Sequence, residues 1–132
     1  MKIQKYFLLH NKKLKPWIKY WLYIKSKVQK IVNLFNKDTI LPNHLINSNG
    51  TITEDAYNFV SDYIEVTENT NYTIKADTNK AKRIAYYDRR KTFIRRPVVS
   101  EYEDIILLPS NVFFVRLSCH NDDLESLQFY KT

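Results

Sequence analysis

The chain has 132 residues, 44% of them hydrophobic and 27% charged, with ten Tyr, seven Phe and two Trp, which is bulk enough for one compact domain plus an appendage. That composition excludes global disorder, and a single glycine, Gly50, excludes Gly-rich phosphate loops, collagen-like repeats and dinucleotide fingerprints. A single cysteine, Cys119, excludes an internal disulfide and multi-cysteine zinc modules, and no apolar run reaches the roughly 18 residues of a membrane span.

The formal net charge of +7 is unevenly spread. Residues 1–32 hold nine Lys and no Asp or Glu, whereas residues 33–132 hold twelve basic and fourteen acidic side chains. Such asymmetry marks an arm that meets an acidic surface, although a coding bias toward Lys, Asn, Ile and Tyr produces the same excess. A signal peptide fits poorly, because Tyr6–Leu9 is a short apolar core with no small-residue cleavage site after it. Assembly in a cytoplasm is the expectation.

Lys2–His10 is ambiguous between strand and helix. Pro16 suits the first turn of a helix, and from there the 3.6-residue period is clear. Trp17, Tyr20, Trp21, Ile24, Val28, Ile31 and Val32 fall in one uncharged arc of about 120°, with Lys19, Lys27 and Lys30 opposite. Leu14, Trp17, Trp21, Ile24, Val28 and Ile31 also follow the alternating three- and four-residue steps of a coiled-coil seam, over about two and a half heptads. Residues 1–32 therefore read as a basic N-terminal arm and one amphipathic α-helix. An apolar arc with two Trp needs another surface, which its own sandwich, a second copy, another protein or a lipid interface would supply. Partner docking or self-association is the preferred reading, with Trp17, Trp21, Ile24, Val28 and Ile31 as the candidate partner-binding residues.

Past Val32 the chain turns to short β-branched and aromatic segments. His44–Asn47 and Thr51–Thr53 flank Ser48-Asn49-Gly50, the strongest hairpin signal present. Strands are expected at Tyr57–Val66, Asn71–Ala76, Arg83–Asp88, Thr92–Arg96, Asp104–Leu108, Val112–Cys119 and Leu124–Tyr130. Asn does the turn work that Gly does elsewhere, since it tolerates left-handed backbone. Eight or nine strands at this spacing indicate a mainly β, antiparallel sandwich over residues 33–132. Alternation sets Phe113, Val115, Leu117 and Cys119 toward the core, opposite Phe114, Arg116 and Ser118, and sets Ile84 and Tyr86 against Ala85 and Tyr87.

Taken in order, Asn33-Leu34-Phe35-Asn36, Ile46-Asn47-Ser48-Asn49-Gly50-Thr51-Ile52, Val60-Ser61-Asp62-Tyr63-Ile64-Glu65-Val66, Asn71-Tyr72-Thr73-Ile74, Ile84-Ala85-Tyr86-Tyr87-Asp88, Phe93-Ile94, Leu108-Pro109-Ser110-Asn111, Val115-Arg116-Leu117-Ser118 and Gln128-Phe129-Tyr130 form one series. It resembles the carbohydrate-binding-module-like, galactose-binding-like jelly-roll domains of tail, baseplate and receptor-binding proteins of phages of Gram-positive hosts. The resemblance implies a jelly-roll β-sandwich without catalysis. It implies an adhesion or assembly module, and the expectation is a virion structural protein assembled in the host cytoplasm beside other virion proteins, with a homo-oligomer expected from the short seam of residues 14–31. The turn that often holds Gly, Ser or Asn in such domains is Arg89-Arg90-Lys91 here.

A host cell-wall glycan binder is the alternative, with Tyr86, Tyr87, Asp88 and Arg89 as candidate contacts, because an aromatic face complements the apolar face of a pyranose. A third reading, an anionic-membrane or nucleic-acid binder, is disfavoured, since the domain is slightly acidic and no nucleic-acid motif is present. Lys80, Lys82, Arg83, Arg89, Arg90, Lys91, Arg95 and Arg96 form a basic cluster, expected to pair with Glu101, Glu103 and Asp104 across strands or between subunits rather than to contact phosphate or a polyanionic wall polymer. No cofactor is expected. Such jelly rolls often hold calcium, for which Asp122, Asp123 and Glu125 would be ligands, with a solvated turn as the competing reading. His10, His44 and His120 have no metal-ligand spacing, and Cys119 and His120 point to opposite faces of a strand.

Overall fold

The computed structural model describes residues 16–17 and 31–132. Pro16 and Trp17 have helical backbone, and Trp17 and Ile31 are exposed. The rest of the expected arm and helix, with Trp21, Ile24 and Val28, lies outside the described residues. The chain divides into two units between Ile31 and Val32, the second being Val32–Thr132.

This second unit is mainly β, built of antiparallel sheets. Ten strands form: β1 Leu41–Ile46, β2 Ile52–Val60, β3 Ile64–Glu65, β4 Asn71–Lys75, β5 Lys82–Tyr87, β6 Phe93–Arg95, β7 Val98–Val99, β8 Glu103–Leu107, β9 Phe114–His120 and β10 Gln128–Lys131. Seven make one sheet in the order β1-β2-β9-β5-β6, with β3 on β9 and β7 on β5. The other three run β10-β4-β8.

The two sheets share one core. Phe59, Ile84, Tyr86, Val115, Leu117 and Cys119 of the larger sheet are buried together with Tyr72, Ile74 and Phe129 of the smaller. Tyr72 stacks on Phe129 at 5.2 Å, and its hydroxyl accepts a hydrogen bond from the Thr67 N–H (2.9 Å), so the buried ring keeps its polar end satisfied. The alternation in β5 and β9 holds for Ile84, Tyr86, Val115, Leu117 and Cys119. Phe113 departs from it, lying before β9 and only half-buried.

The outer face of the larger sheet is covered as well. Ile46, Val60, Ala85 and Tyr87 form a second buried cluster with Ile52, Tyr63, Phe93 and Phe114 packed on it. Tyr63 meets Tyr87 edge-on at 5.0 Å, and Phe93 does so at 5.9 Å. Arg116, the residue that marks this face as polar in the sequence, lays its guanidinium 4.7 Å above the Tyr63 ring. A cation over an aromatic ring keeps its charge near water while its stem covers apolar surface.

The expected single strand Tyr57–Val66 is instead β2 and β3, divided at Ser61. The Ser61 hydroxyl accepts the Leu117 N–H (2.8 Å), and the Ser61 N–H donates to the Leu117 carbonyl (2.7 Å). Arg116 Nε donates to the Ser61 carbonyl (2.9 Å), so β9 is served across the break by a side chain. At the hairpin, the Gly50 N–H donates to the Asn47 carbonyl (2.9 Å) with φ at 88°. Of the four non-glycine residues at positive φ among the described residues, Asn43, Asn69 and Asn111 are asparagines and the fourth is Lys91.

Candidate functional site

Three loops converge at one end of the domain: Thr67–Thr70 after β3, Asp88–Thr92 after β5 and Leu108–Phe113 before β9. Glu68, Asp88, Arg89, Arg90, Ser110, Asn111 and Phe113 line a cleft of about 470 Å³ between them. Each loop is fixed by its own polar groups. Asp88 Oδ1 accepts the N–H groups of Arg90 (2.8 Å) and Thr92 (2.9 Å), closing the turn that Lys91 completes at φ 63°. Glu68 Oε1 accepts the Asn111 N–H (2.8 Å), and the Ser110 hydroxyl donates to Asn69 Oδ1 (3.0 Å), tying the first loop to the third. The Phe113 N–H donates to the Tyr87 carbonyl (3.0 Å), which brings in the end of β5.

Each carboxylate spends one oxygen on a loop and keeps the other as an acceptor. The Arg89 guanidinium lies 4.6 Å over the Phe113 ring, with its N–H edge available as a donor. Two carboxylates balance two guanidiniums, so the cleft has no strong bias of sign. Interleaved donors and acceptors beside a half-buried ring suit a neutral, hydroxyl-bearing ligand better than a polyanion.

The four glycan candidates do not come together. Asp88 and Arg89 line the cleft, but Tyr86 is 3% exposed in the main core and Tyr87 is 4% exposed in the outer cluster, on the opposite face. Neither ring is open to a sugar, and burial pushes both phenols above their ordinary pKa. The reason is the sheet itself: β5 is covered on both faces, so alternation sends both tyrosines inward.

The basic cluster is also dispersed. Lys80 pairs with Asp122 (2.6 Å), Arg83 donates to Asn58 Oδ1 (3.2 Å), Arg96 donates to the Ile46 carbonyl (2.8 Å), and Lys91 lies 4.8 Å over Tyr63. Lys82 is wholly buried beside Asp123. Among the described residues no ion pair within the chain reaches Glu101, Glu103 or Asp104, so the expected pairing is not made inside one copy. The candidate calcium turn holds lysines: Asp122 takes Lys80, Asp123 takes Lys82 and Glu125 takes Lys37 (2.6 Å). Its carboxylates are spread over separate partners, and no group of three metal-ligating side chains occurs among the described residues.

No family model, curated protein or solved structure matches this chain. The cleft residues that sequence reasoning passes over are Glu68, Ser110, Asn111 and Phe113. Glu68 and Pro109-Ser110-Asn111 are visible as turn punctuation, but which turns share an end depends on strand pairing.

Proposed function

We propose that the protein is a non-enzymatic phage virion structural protein, a tail, baseplate or capsid accessory component. Its residues 1–32 anchor it in a larger assembly, and a jelly-roll β-sandwich over residues 33–132 projects or cements contacts. The ordered residue series supports the phage reading, and two antiparallel sheets with one shared core suit the sandwich. The observation that carries an assembly role is β8. This edge strand pairs with β4 on one side only and exposes Ile105 (56%) and Leu107 (63%), with Tyr102 exposed just before it, beside exposed Glu103 and Asp104, whose Oδ1 accepts the Ile105 N–H (2.8 Å). The acidic pair blunts part of this edge, and the exposed apolar side chains beside it fit a surface that another virion subunit covers.

The test is the size of the full chain in solution and its presence in purified particles. The expected result is an oligomer incorporated into particles. Trp17→Glu/Trp21→Glu and Ile105→Lys/Leu107→Lys should each lower mass or incorporation while the melting transition stays in place. A monomer absent from particles, or double variants with unchanged mass and incorporation, would sink this reading.

A host cell-wall glycan binder is the second reading, favoured by the balanced donor and acceptor set of the end cleft. Saturable binding on a glycan array, weakened in Arg89→Ala and Asn111→Ala, is its expected signature.

A further inference from the structure

We propose a second saccharide subsite, centred on Tyr57 and set apart from the end cleft, where one face of a neutral pyranose stacks on the exposed phenol ring. It deepens the glycan-binding reading and rests on it.

The β1–β2 ladder jumps from Pro42↔Phe59 to His44↔Glu54, so four residues of β2, Asp55 to Asn58, face Asn43 alone on β1. Bulges of this kind re-aim side chains out of a sheet. Asn43 takes the strain at φ 58°. The bulge is held from three sides. Asp55 Oδ1 accepts the Tyr57 N–H and the Asn58 side-chain amide (2.9 Å each), Arg83 donates to Asn58 Oδ1, and the Asn121 amide donates to the Ala56 carbonyl (3.1 Å).

On this scaffold Tyr57 is 70% exposed, and its ring lies nearly parallel to that of His120, tilted 11° with centroids 6.4 Å apart. The polar contacts hold the backbone on either side of Tyr57, and the exposed ring itself rests on His120. The arrangement presents a flat apolar surface in a fixed orientation. Polar groups ring it at the right chemistry for hydroxyls. Asp55 keeps its second carboxylate oxygen, and its hydrogen bonds from Asn58 and Tyr57 hold its carboxyl below the usual range, so it is an ionised acceptor at neutral pH. His120 Nδ1 accepts the Asp122 N–H (3.0 Å), which places the proton of the neutral ring on Nε2 as a donor. Asp55 also lines a cleft of about 520 Å³ with Pro42, Asn43, His44, Glu54 and Ala56, room for a neighbouring sugar unit.

The experiment maps amide shifts of the ¹⁵N-labelled full chain during titration with three probes: tetra-N-acetylchitotetraose, cellotetraose and methyl β-galactoside. The expected result is a saturable shift at Ala56–Asn58 and His120 for at least one probe. Tyr57→Ala should weaken it about tenfold, the size of a lost aromatic stack. Tyr57→Trp should retain it. Saturable shifts confined to Ser110, Asn111 and Phe113 would overturn the Tyr57 subsite and leave the glycan reading standing at the end cleft. No saturable shift with any probe would overturn both.

Discussion

Lys82 Nζ lies 3.7 Å from Asp123 Oδ2, both side chains wholly buried, and the ammonium makes its hydrogen bonds elsewhere. It donates to the carbonyls of Thr78 (2.6 Å), Glu101 (2.9 Å) and Lys80 (3.3 Å), using all three protons on backbone. Asp123 Oδ1 accepts the Thr78 N–H (3.1 Å), while Oδ2 has no hydrogen-bond partner and serves only as counter-charge. The pair therefore ties the β4–β5 loop, the bend at Glu101 and the turn before β10 to one buried point. Removing one member strands a buried charge, so Lys82→Met and Asp123→Asn should each cost about 3–5 kcal/mol in urea unfolding. The double variant Lys82→Met/Asp123→Leu should cost clearly less than their sum. Strict additivity would show that the two charges do not compensate each other.

Cys119 supplies a pH-dependent test. Burial, reinforced by Asp123, pushes its thiol up from 9.0 to about 12. A group whose pKa is higher when folded holds its full stabilisation below its unfolded value and loses it as pH rises toward the folded one. Stability should thus fall between pH 9 and 12, by on the order of 4 kcal/mol for the thiol alone. Tyr86 and Tyr87 act in the same sense above pH 10. Cys119→Ala should flatten the decline between pH 9 and 10, where the thiol dominates. Iodoacetamide should label Cys119 only under unfolding conditions. Rapid labelling of the native chain would contradict its burial.

At the acid end the carboxylates work in the opposite direction. The Lys80 ammonium holds Asp122, and the Asn58 and Tyr57 donors hold Asp55, below the ordinary carboxyl value of 3.8. Their contribution is present above that value and lost as pH falls through the lower folded values. Asp122 is exposed and Asp55 only partly buried, so the effect is small and screened by salt. Asp122→Asn should therefore leave the melting transition at pH 7 nearly unchanged and should slightly reduce its fall below pH 4.

Gly50 combines two requirements that no other residue meets. Its φ of 88° is left-handed, and a Cβ placed there would lie 2.5 Å from the Phe93 ring. Gly50→Ala should cost about 2–4 kcal/mol, and Gly50→Asn, which relieves only the backbone strain, should not recover it. Gly50→Ala combined with Phe93→Ala should recover part of the backbone-independent loss, read from the same thermal transitions. An unshifted transition in Gly50→Ala would show that the hairpin does not rest on β6.

The Asn49-Gly50 turn, the asparagines at positive φ and the inward positions of β5 and β9 are legible in the sequence because each is a local property of a few residues. The features that escape it are non-local. Alternation in β5 marks Tyr86 and Tyr87 as opposite but not as both covered, since the cover comes from Tyr63 and Phe93 on other strands. The run 80–96 reads as one cationic patch only while its partners are unknown, and they prove to be carbonyls, rings and distant carboxylates. Tyr57 reads as the start of an ordinary strand, because the bulge that turns it outward depends on the register against β1.

Asn33 offers a local test of how the beginning of the unit is fastened. Its Oδ1 accepts the N–H groups of Phe35 (3.1 Å) and Phe129 (3.0 Å), its Nδ2 donates to the Leu127 carbonyl (3.1 Å), and the Leu34 N–H donates to the Phe129 carbonyl (2.7 Å). The amide thus pins Phe35 into the core and completes the edge of β10. Asn33→Ala deletes three hydrogen bonds and should cost about 2 kcal/mol. Asn33→Asp keeps the acceptor but turns an oxygen toward the Leu127 carbonyl. It should cost at least as much at pH 7 and should recover relative to the parent chain below pH 4, when the protonated carboxyl can donate. Amide exchange at Phe35 and Phe129 should accelerate in both variants ahead of global unfolding. If those two amides kept their protection, the clamp would be an ornament of the surface and the N-terminal edge of the core would be held by Phe35 packing and the Leu34 backbone hydrogen bond.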